Sequence, residues 1–173
     1  SVVMLSSGTA SLTTSLRSMT VGLLPGIANV THSAKIQHHL LRCASVEAGI
    51  AQLVFNKPPV NAFNSAEWAG IATEIKALGA RDDVAVIIVR AEGKGFCAGV
   101  DIKELGADPN MIVPVNKGNY DTFEAIHRNP KPVIVALHGF ILGGGIGIAG
   151  AADIIVASEC ASFGVPEVDR GAM

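Results

Sequence analysis

Acidic residues are missing from the first 46 positions of this 173-residue sequence, whose first carboxylate is Glu47. All 15 acidic side chains therefore lie in 47–173 together with ten of the 13 basic ones, which gives that segment a net charge of −5. A domain of this sign lacks the basic surface that nucleic-acid binding requires. We therefore expect no nucleic-acid partner.

Cysteine is also scarce. Cys43, Cys97 and Cys160 are odd in number and widely spaced, which matches neither a disulfide framework nor the ligand spacing of a zinc site. We expect free thiols in a reducing compartment, hence a cytoplasmic protein, and no bound metal.

The acid-free head, residues 1–45, differs from the rest in being rich in Ser and Thr. Such a composition is typical of an organelle transit peptide, although a single arginine in the first thirty residues is few for one. The sequence thus predicts a non-core extension over 1–45, which is disordered and either transit-like or non-native. The core domain is predicted over 46–173. If the head is a transit peptide, the mitochondrial matrix replaces the cytoplasm as the expected location.

From residue 46 onward, short apolar strands alternate with amphipathic helices, which predicts one α/β domain. One helix begins after Asn64 or Ser65, with Glu67 in its first turn and Trp68 on its buried stripe, and ends at Gly79. A second runs from about Val115 to Arg128, with Phe123 inward. The predicted strands cover 49–55, 84–90, 133–138 and 154–158.

The stretch GFILGGGIGIAGAAD, residues 139–153, can be interpreted in three ways. It could be part of a membrane span, because the overlapping uncharged run 133–152 is long enough to cross a bilayer. A strand, a turn and a helix are favoured instead by Pro132, by the six glycines within that run and by the lack of a basic flank on its far side. We therefore expect no membrane span.

The second interpretation is a dinucleotide-binding turn, because Gly145, Gly147 and Gly150 spell G-x-G-x-x-G after a predicted strand. Barely two helical turns fit between Gly145 and the next strand, where the dinucleotide unit needs a full crossover helix. An NAD-binding Rossmann-type module is therefore the less favoured alternative.

In the third interpretation, the loops 94–105 and 139–147 each follow a buried strand and lie at one edge of the sheet. Each could then direct a glycine-flanked backbone N–H toward a common point. Two such donors that converge on one oxygen form an oxyanion hole. The alternative is that both loops are simply tight turns, and the spacing alone leaves the two interpretations equal.

Three stretches carry a family resemblance: NKPPVNAFNSAEW, GKGFCAGVDIKEL, and NPKPVIVALHGFILGGGIGIAGAADIIVASECASFGVPEVDRGAM. In order and spacing they resemble the enoyl-CoA hydratase/isomerase (crotonase) superfamily over about 48–173. The resemblance implies a ClpP/crotonase-type spiral of β-β-α units, usually assembled as trimers or paired trimers, so that a homotrimer or hexamer is expected of the full-length form. It implies an acyl-CoA thioester as substrate and no separate cofactor. The thioester oxygen would be held by the backbone N–H groups of Val100 and Gly144, and the implied substrate-binding residues are Ala98, Asp101, Ile102, Lys103 and Gly143.

The resemblance also assigns the acid/base chemistry. Hydratases of the family use two glutamates, and Glu167 occupies the position of the second, whereas Gly147 occupies the position of the first. We expect weak hydratase activity and a mechanism with one carboxylate, such as isomerisation or hydrolysis in lipid catabolism. The glycine is either an ancestral loss or makes room for a bulkier substrate. The motifs resemble in particular an actinobacterial subgroup that hydrolyses a C–C bond of a cyclic β-keto thioester in steroid breakdown.

Three further polar residues can be interpreted as functional or as structural. Asp169 and Arg170 are secondary candidates for the site or a structural ion pair, and His138 is expected to be a structural histidine. The chain stops at Met173, shortly after Glu167, whereas the family is longer, so we expect an incomplete C-terminal part of the fold. An inactive fragment with exposed apolar surface is therefore a further alternative.

Overall fold

The structure is a computed structural model that describes the backbone of residues 2–5 and 41–169 and the side chains of 46–168. Most of the predicted N-terminal extension and Arg170 lie outside these residues. Strand β2 extends from Leu41 to Glu47 and so crosses the predicted boundary at 45/46. The division of the chain into an extension and a core stays a prediction.

A six-stranded sheet, in the order β1-β9-β7-β5-β3-β2, forms the centre of the described structure. All its neighbouring strands are parallel except β2 and β3, which are antiparallel. The four strands predicted from apolar runs are present as β3, β5, β7 and β9. The bounds are β1 Val2–Leu5, β2 Leu41–Glu47, β3 Ile50–Phe55, β4 Ala62–Phe63, β5 Val86–Ala91, β6 Gly99–Val100, β7 Val133–Leu137, β8 Phe140–Leu142, β9 Ile154–Ser158 and β10 Ser162–Gly164.

Two pairs of very short parallel strands position the glycine-rich loops. Strand β4 pairs with β6, and β8 pairs with β10. Sequence patterns did not predict these pairs, since two or three residues are too few to show an alternation. They hold the loops beside the main sheet.

Helix α1 covers Ser65–Gly79, as predicted. The side chain of Asn64 accepts a hydrogen bond from the Glu67 N–H, and the Glu67 carboxylate accepts one from the Asn64 N–H. This reciprocal capping box satisfies two backbone donors that the first helical turn leaves unpaired. Trp68 is fully buried at the start of the helix, as expected for a core residue.

Helix α3 covers Ile112–His127 and begins three residues before the prediction. A short helix α2, Ile102–Ala107, and a 3₁₀ turn, Pro109–Met111, lead into it. Pro114 lies in the first turn of α3, where proline is tolerated because its missing N–H would have no acceptor. Helices α1 and α3 pack together, with the Thr122 hydroxyl donating to the Trp68 carbonyl at 2.9 Å.

The uncharged run 133–152 forms β7, β8 and helix α4, Gly144–Ala151, rather than one helix. Across residues 2–5 and 41–169, no helix has both the length and the apolar character needed to cross a bilayer. The three glycines of the G-x-G-x-x-G pattern all lie inside the eight-residue α4. They therefore do not form the phosphate-binding turn of a dinucleotide fold.

Candidate active site

The two glycine-rich loops meet beside the N-terminus of α4. A Cβ atom added to Gly99 would lie 3.3 Å from the backbone nitrogen of Gly144 and 3.2 Å from the carbonyl oxygen of Leu142. Gly99 has a φ of +85°, so a side chain here would be both crowded and strained. The sequence therefore predicted correctly that the two loops approach each other.

The backbone N–H groups of Val100 and Gly144 belong to the segments where the two loops approach each other. The Asp101 N–H donates to the Phe63 carbonyl at 2.9 Å, so the N–H of Val100, one residue earlier in β6, points away from β4. Gly144 is the first residue of α4, where an N–H has no acceptor within the helix and the helix dipole is positive. Two such donors beside each other can bind one electron-rich oxygen.

Asn61 anchors the loop that leads to Val100. Its side-chain amide donates to the carbonyl oxygens of Glu92 and Gly95, both at 3.0 Å, and its side-chain oxygen accepts from the Lys57 N–H at 2.7 Å. Asn61 is 3% exposed and has a φ of +52°, a region that asparagine tolerates better than most residues. Sequence reasoning missed this anchor, and the only signal for it was an asparagine after two prolines.

A charged cluster lies on the other side of β6. The Lys57 ammonium contacts the buried Glu67 carboxylate at 2.6 Å and Asp101 Oδ2 at 3.5 Å. Asp101 also caps α2, since its Oδ1 accepts from the Lys103 N–H at 3.1 Å. Asp101, predicted to bind substrate, is therefore held by protein groups. Sequence reasoning recognised Glu67 as a helix-start residue but missed its ion pair with Lys57.

The other predicted binding residues are more open. Ile102 is 59% exposed, and Lys103 is exposed beside it. Ala98 is half-buried, and its N–H donates to the Val60 carbonyl at 3.1 Å. An exposed ammonium next to an exposed apolar side chain is an arrangement that suits a phosphorylated ligand with an apolar ring.

Glu167 lies on the short helix α5, Pro166–Asp169, against the turn that precedes α4. A Cβ atom at Gly143 would fall on its Oε1, and would lie 2.8 Å from its carboxyl carbon. Its Oε2 is buried and has no hydrogen-bond partner among the described residues. Buried polar atoms are nearly always paired, so an unpaired carboxylate oxygen beside the N-terminus of α4 marks a candidate reactive group.

Gly147 lies about one helical turn after Gly143, which caps the N-terminus of α4. A Cβ atom here would fall on the Cζ atom of Phe123 and within 2.7 Å of both Cε atoms of its ring. The space at the predicted first-glutamate position is therefore occupied by an aromatic ring. Gly147 makes room for Phe123, which sequence reasoning had placed only as an inward-facing helix residue.

Two other side chains are excluded as reactive groups. Burial raises the pKa of the Cys97 thiol to about 12, so it is not ionised near neutral pH and is a poor nucleophile. The His138 Nε2–H donates to the Gly93 carbonyl at 3.0 Å, which fits the expected structural histidine. The side chains of Asp169 and Arg170 lie outside the described residues.

A surface cavity of about 460 Å³ lies elsewhere, at the C-terminal ends of α1 and α3. The N-terminal end of α1 lies at the loops described above, since Glu104 accepts from the Ser65 N–H at 2.8 Å. Fifteen residues of helix separate the two ends by roughly 22 Å. No predicted site residue lines this cavity, and among the described side chains no cluster of His, Cys, Asp and Glu could hold a metal ion.

Comparison with known proteins finds relatives of this sequence and of its fold. The sequence model of the enoyl-CoA hydratase/isomerase family matches residues 45–173. A (7aS)-7a-methyl-1,5-dioxo-2,3,5,6,7,7a-hexahydro-1H-indene-carboxyl-CoA hydrolase of Mycobacterium tuberculosis is 46% identical over 129 residues, which are 73% of this chain and 52% of that protein. The Rhodococcus jostii protein of the same name is 48% identical over 127 residues, 72% of this chain and 49% of that protein. The chain thus spans about half the length of the curated relatives it matches.

Solved structures give the same result for the fold. Pseudomonas aeruginosa DspI superposes with a TM-score of 0.76 at 27% identity, over 82% of this chain and 55% of that one. An enoyl-CoA hydratase/isomerase (crotonase) structure from Legionella pneumophila superposes with a TM-score of 0.71 at 27% identity, over 76% of this chain and 52% of that one. The predicted α/β fold of the crotonase type is therefore confirmed.

Proposed function

The chain belongs to the enoyl-CoA hydratase/isomerase family, and we therefore propose that it carries the thioester-binding part of an acyl-CoA enzyme. In this proposal, the N–H groups of Val100 and Gly144 bind the thioester oxygen. The observation that carries it is the close approach of the two loops, with Gly144 N 3.3 Å from the Cβ position of Gly99. The CoA part would lie along Asp101, Ile102 and Lys103, and Ala98 and Gly143 would be further substrate-binding residues.

The full-length protein is proposed to be a hydrolase of a cyclic β-keto acyl-CoA rather than a hydratase. A hydratase of the expected type needs two carboxylates around a water, and here Phe123 occupies the space beside Gly147. Among the described residues, Glu167 is the carboxylate that lies against the turn before Gly144. The names of the two actinobacterial relatives, both hydrolases of a dioxo-indene-carboxyl-CoA, support the same choice.

The proposed reaction uses Glu167 twice. Its carboxylate takes a proton from water while the hydroxyl oxygen adds to the ring ketone carbon, β to the thioester. The C–C bond between that carbon and the thioester Cα then breaks, and its electron pair becomes a thioester enolate. Val100 and Gly144 stabilise the enolate oxygen, and the Glu167 carboxylic acid returns the proton to Cα. One water is consumed, and the ring opens to a carboxylic acid that keeps its CoA thioester.

The proposal extends to assembly and location. By family resemblance the full-length form is proposed to be a homotrimer or hexamer in the cytoplasm. No cofactor besides the CoA of the substrate takes part in the proposed steps.

A substrate comparison tests the proposed reaction. The full-length protein is assayed on crotonyl-CoA and on 2-oxocyclohexanecarbonyl-CoA, with NAD as a control ligand in a thermal-shift measurement. We expect kcat/KM on the cyclic thioester to exceed that on crotonyl-CoA by about 10²-fold or more, the range that one missing acid/base group accounts for. Fast hydration of crotonyl-CoA would contradict the single-carboxylate mechanism, and stabilisation by NAD alone would contradict the thioester site.

A further inference from the structure

The wall of the candidate site beyond Glu167 is formed by a contact between helices α3 and α4. The two helices approach closely where α4 carries glycines. A Cβ atom at Gly144 would lie 2.7 Å from Asn119 Oδ1, and one at Gly147 would fall on the ring of Phe123. Asn119 and Phe123 are one turn apart on α3, as Gly144 and Gly147 are on α4, so the contact repeats along both helices.

This contact fixes the ring of Phe123 in place. On one side the ring meets Trp68 edge to face, with centroids 6.2 Å apart and planes at 80°. On another side it fills the space that Gly147 leaves free. Phe123 is nevertheless only half-buried, so part of the ring is open.

The ring and the carboxylate of Glu167 meet neighbouring parts of α4. Gly143 caps the N-terminus of α4 with a non-helical backbone, and Gly147 follows about one helical turn, roughly 5–6 Å, into the helix. A Cβ atom at Gly143 would fall on Glu167 Oε1, and one at Gly147 would fall on Phe123 Cζ. A group bound to the N-terminal end of α4 therefore meets a carboxylate and, one turn further, an aromatic ring.

We propose that Phe123 is a specificity-determining residue, which selects alicyclic acyl groups over short linear ones and, paired with Gly147, excludes a second carboxylate. The inference rests on the proposed thioester site. An apolar ring at this point stabilises a carbon ring by contact and gives no hydrogen bond to a water. A short linear acyl chain covers less of the aromatic ring than a six-membered carbon ring does.

Two thioesters with the same CoA part test the selection. KM is measured in the full-length protein for 2-oxocyclohexanecarbonyl-CoA, and the dissociation constant for acetoacetyl-CoA. We expect Phe123→Leu to raise KM for the cyclic thioester about tenfold, the effect of a poorer apolar fit, and to leave acetoacetyl-CoA binding unchanged. Tyr120→Ala, which removes a 63% exposed aromatic ring from the same helix, is the matched control and should change neither.

A second set of variants tests the exclusion of the carboxylate. Gly147→Glu alone should lower Tm and give no crotonyl-CoA hydration, because its Cβ would overlap the Phe123 ring. Phe123→Ala with Gly147→Glu should hydrate crotonyl-CoA at least about 10²-fold faster than Phe123→Ala alone.

The outcomes separate the two proposals. If the unaltered protein binds neither thioester, the proposed function fails. If it binds both, but Phe123→Leu alters them equally or not at all, the role of Phe123 is wrong and the proposed function stands. A folded double variant without added hydration likewise contradicts the exclusion of the carboxylate. If the double variant does not fold, the Phe123→Leu result alone decides.

Discussion

Replacing Gly143 by alanine is expected to abolish the proposed hydrolysis and to destabilise the fold. Gly143 has a φ of +48°, and its added Cβ would fall on Glu167 Oε1. The carboxylate would be pushed away from the N-terminus of α4, where the thioester is proposed to bind. We expect kcat/KM to fall about 10²–10⁴-fold, the contribution of one acid/base group. The backbone strain should cost about 1–3 kcal/mol in the free energy of unfolding.

Gly150→Ala is the matched control for this variant. Gly150 lies on α4, the helix that Gly143 precedes, and a Cβ there would have no neighbour within 4 Å. An alanine inside a helix should raise the free energy of unfolding by roughly 0.5–1 kcal/mol and leave kcat/KM unchanged. Denaturant unfolding and a steady-state assay measure both effects. Equal values of kcat/KM and of the free energy of unfolding for the two variants would show that Gly143 and Glu167 do not meet as described.

Replacing Glu167 by glutamine should have a comparable effect on rate and a different effect on binding. The variant keeps the shape of the side chain but cannot accept a proton, so kcat on the cyclic thioester should fall about 10²–10⁴-fold. The dissociation constant for acetoacetyl-CoA should stay unchanged, because the proposed thioester donors are backbone N–H groups.

Glu74→Gln, which removes the same charge from α1, is the control for Glu167→Gln and should leave kcat unaltered. Stopped assays measure kcat, and calorimetry measures the dissociation constant for acetoacetyl-CoA, so the effects on rate and on binding are separated. Retained hydrolysis in Glu167→Gln would overturn the assignment of the carboxylate. Lost acetoacetyl-CoA binding would instead indicate that Glu167 holds the ligand rather than the proton.

The main elements of the fold could be predicted because their signals are local. The strands β3, β5, β7 and β9 are continuous apolar runs, and Asn64 with Glu67 marks the start of α1. Short elements such as β6 and β10 depend on partners that are distant in sequence, and their few residues carry no periodicity. The first turn of α3, which contains Pro114, was missed, because whether a proline is tolerated depends on where the helix begins.

The candidate site was predictable in part. The sequence indicated the proximity of the two glycine loops, and the position of Glu167 came from a family motif. The ring of Phe123 beside Gly147 was not predictable, because a missing side chain does not indicate which distant residue occupies its place. The Lys57–Glu67 ion pair and the Asn61 anchor also join residues 10 to 34 positions apart, and they emerge only when the chain is folded.

The binding of the thioester oxygen by two backbone N–H groups is tested most directly by isotope-edited infrared spectroscopy. Acetoacetyl-CoA labelled with ¹³C at the thioester carbonyl is bound to the full-length Glu167→Gln protein, which prevents turnover. Two donors at Val100 and Gly144 would polarise the carbonyl, so its stretching frequency should be lower in the complex than in free acetoacetyl-CoA. A bound thioester whose carbonyl frequency equals that of the free ligand would contradict the oxyanion hole.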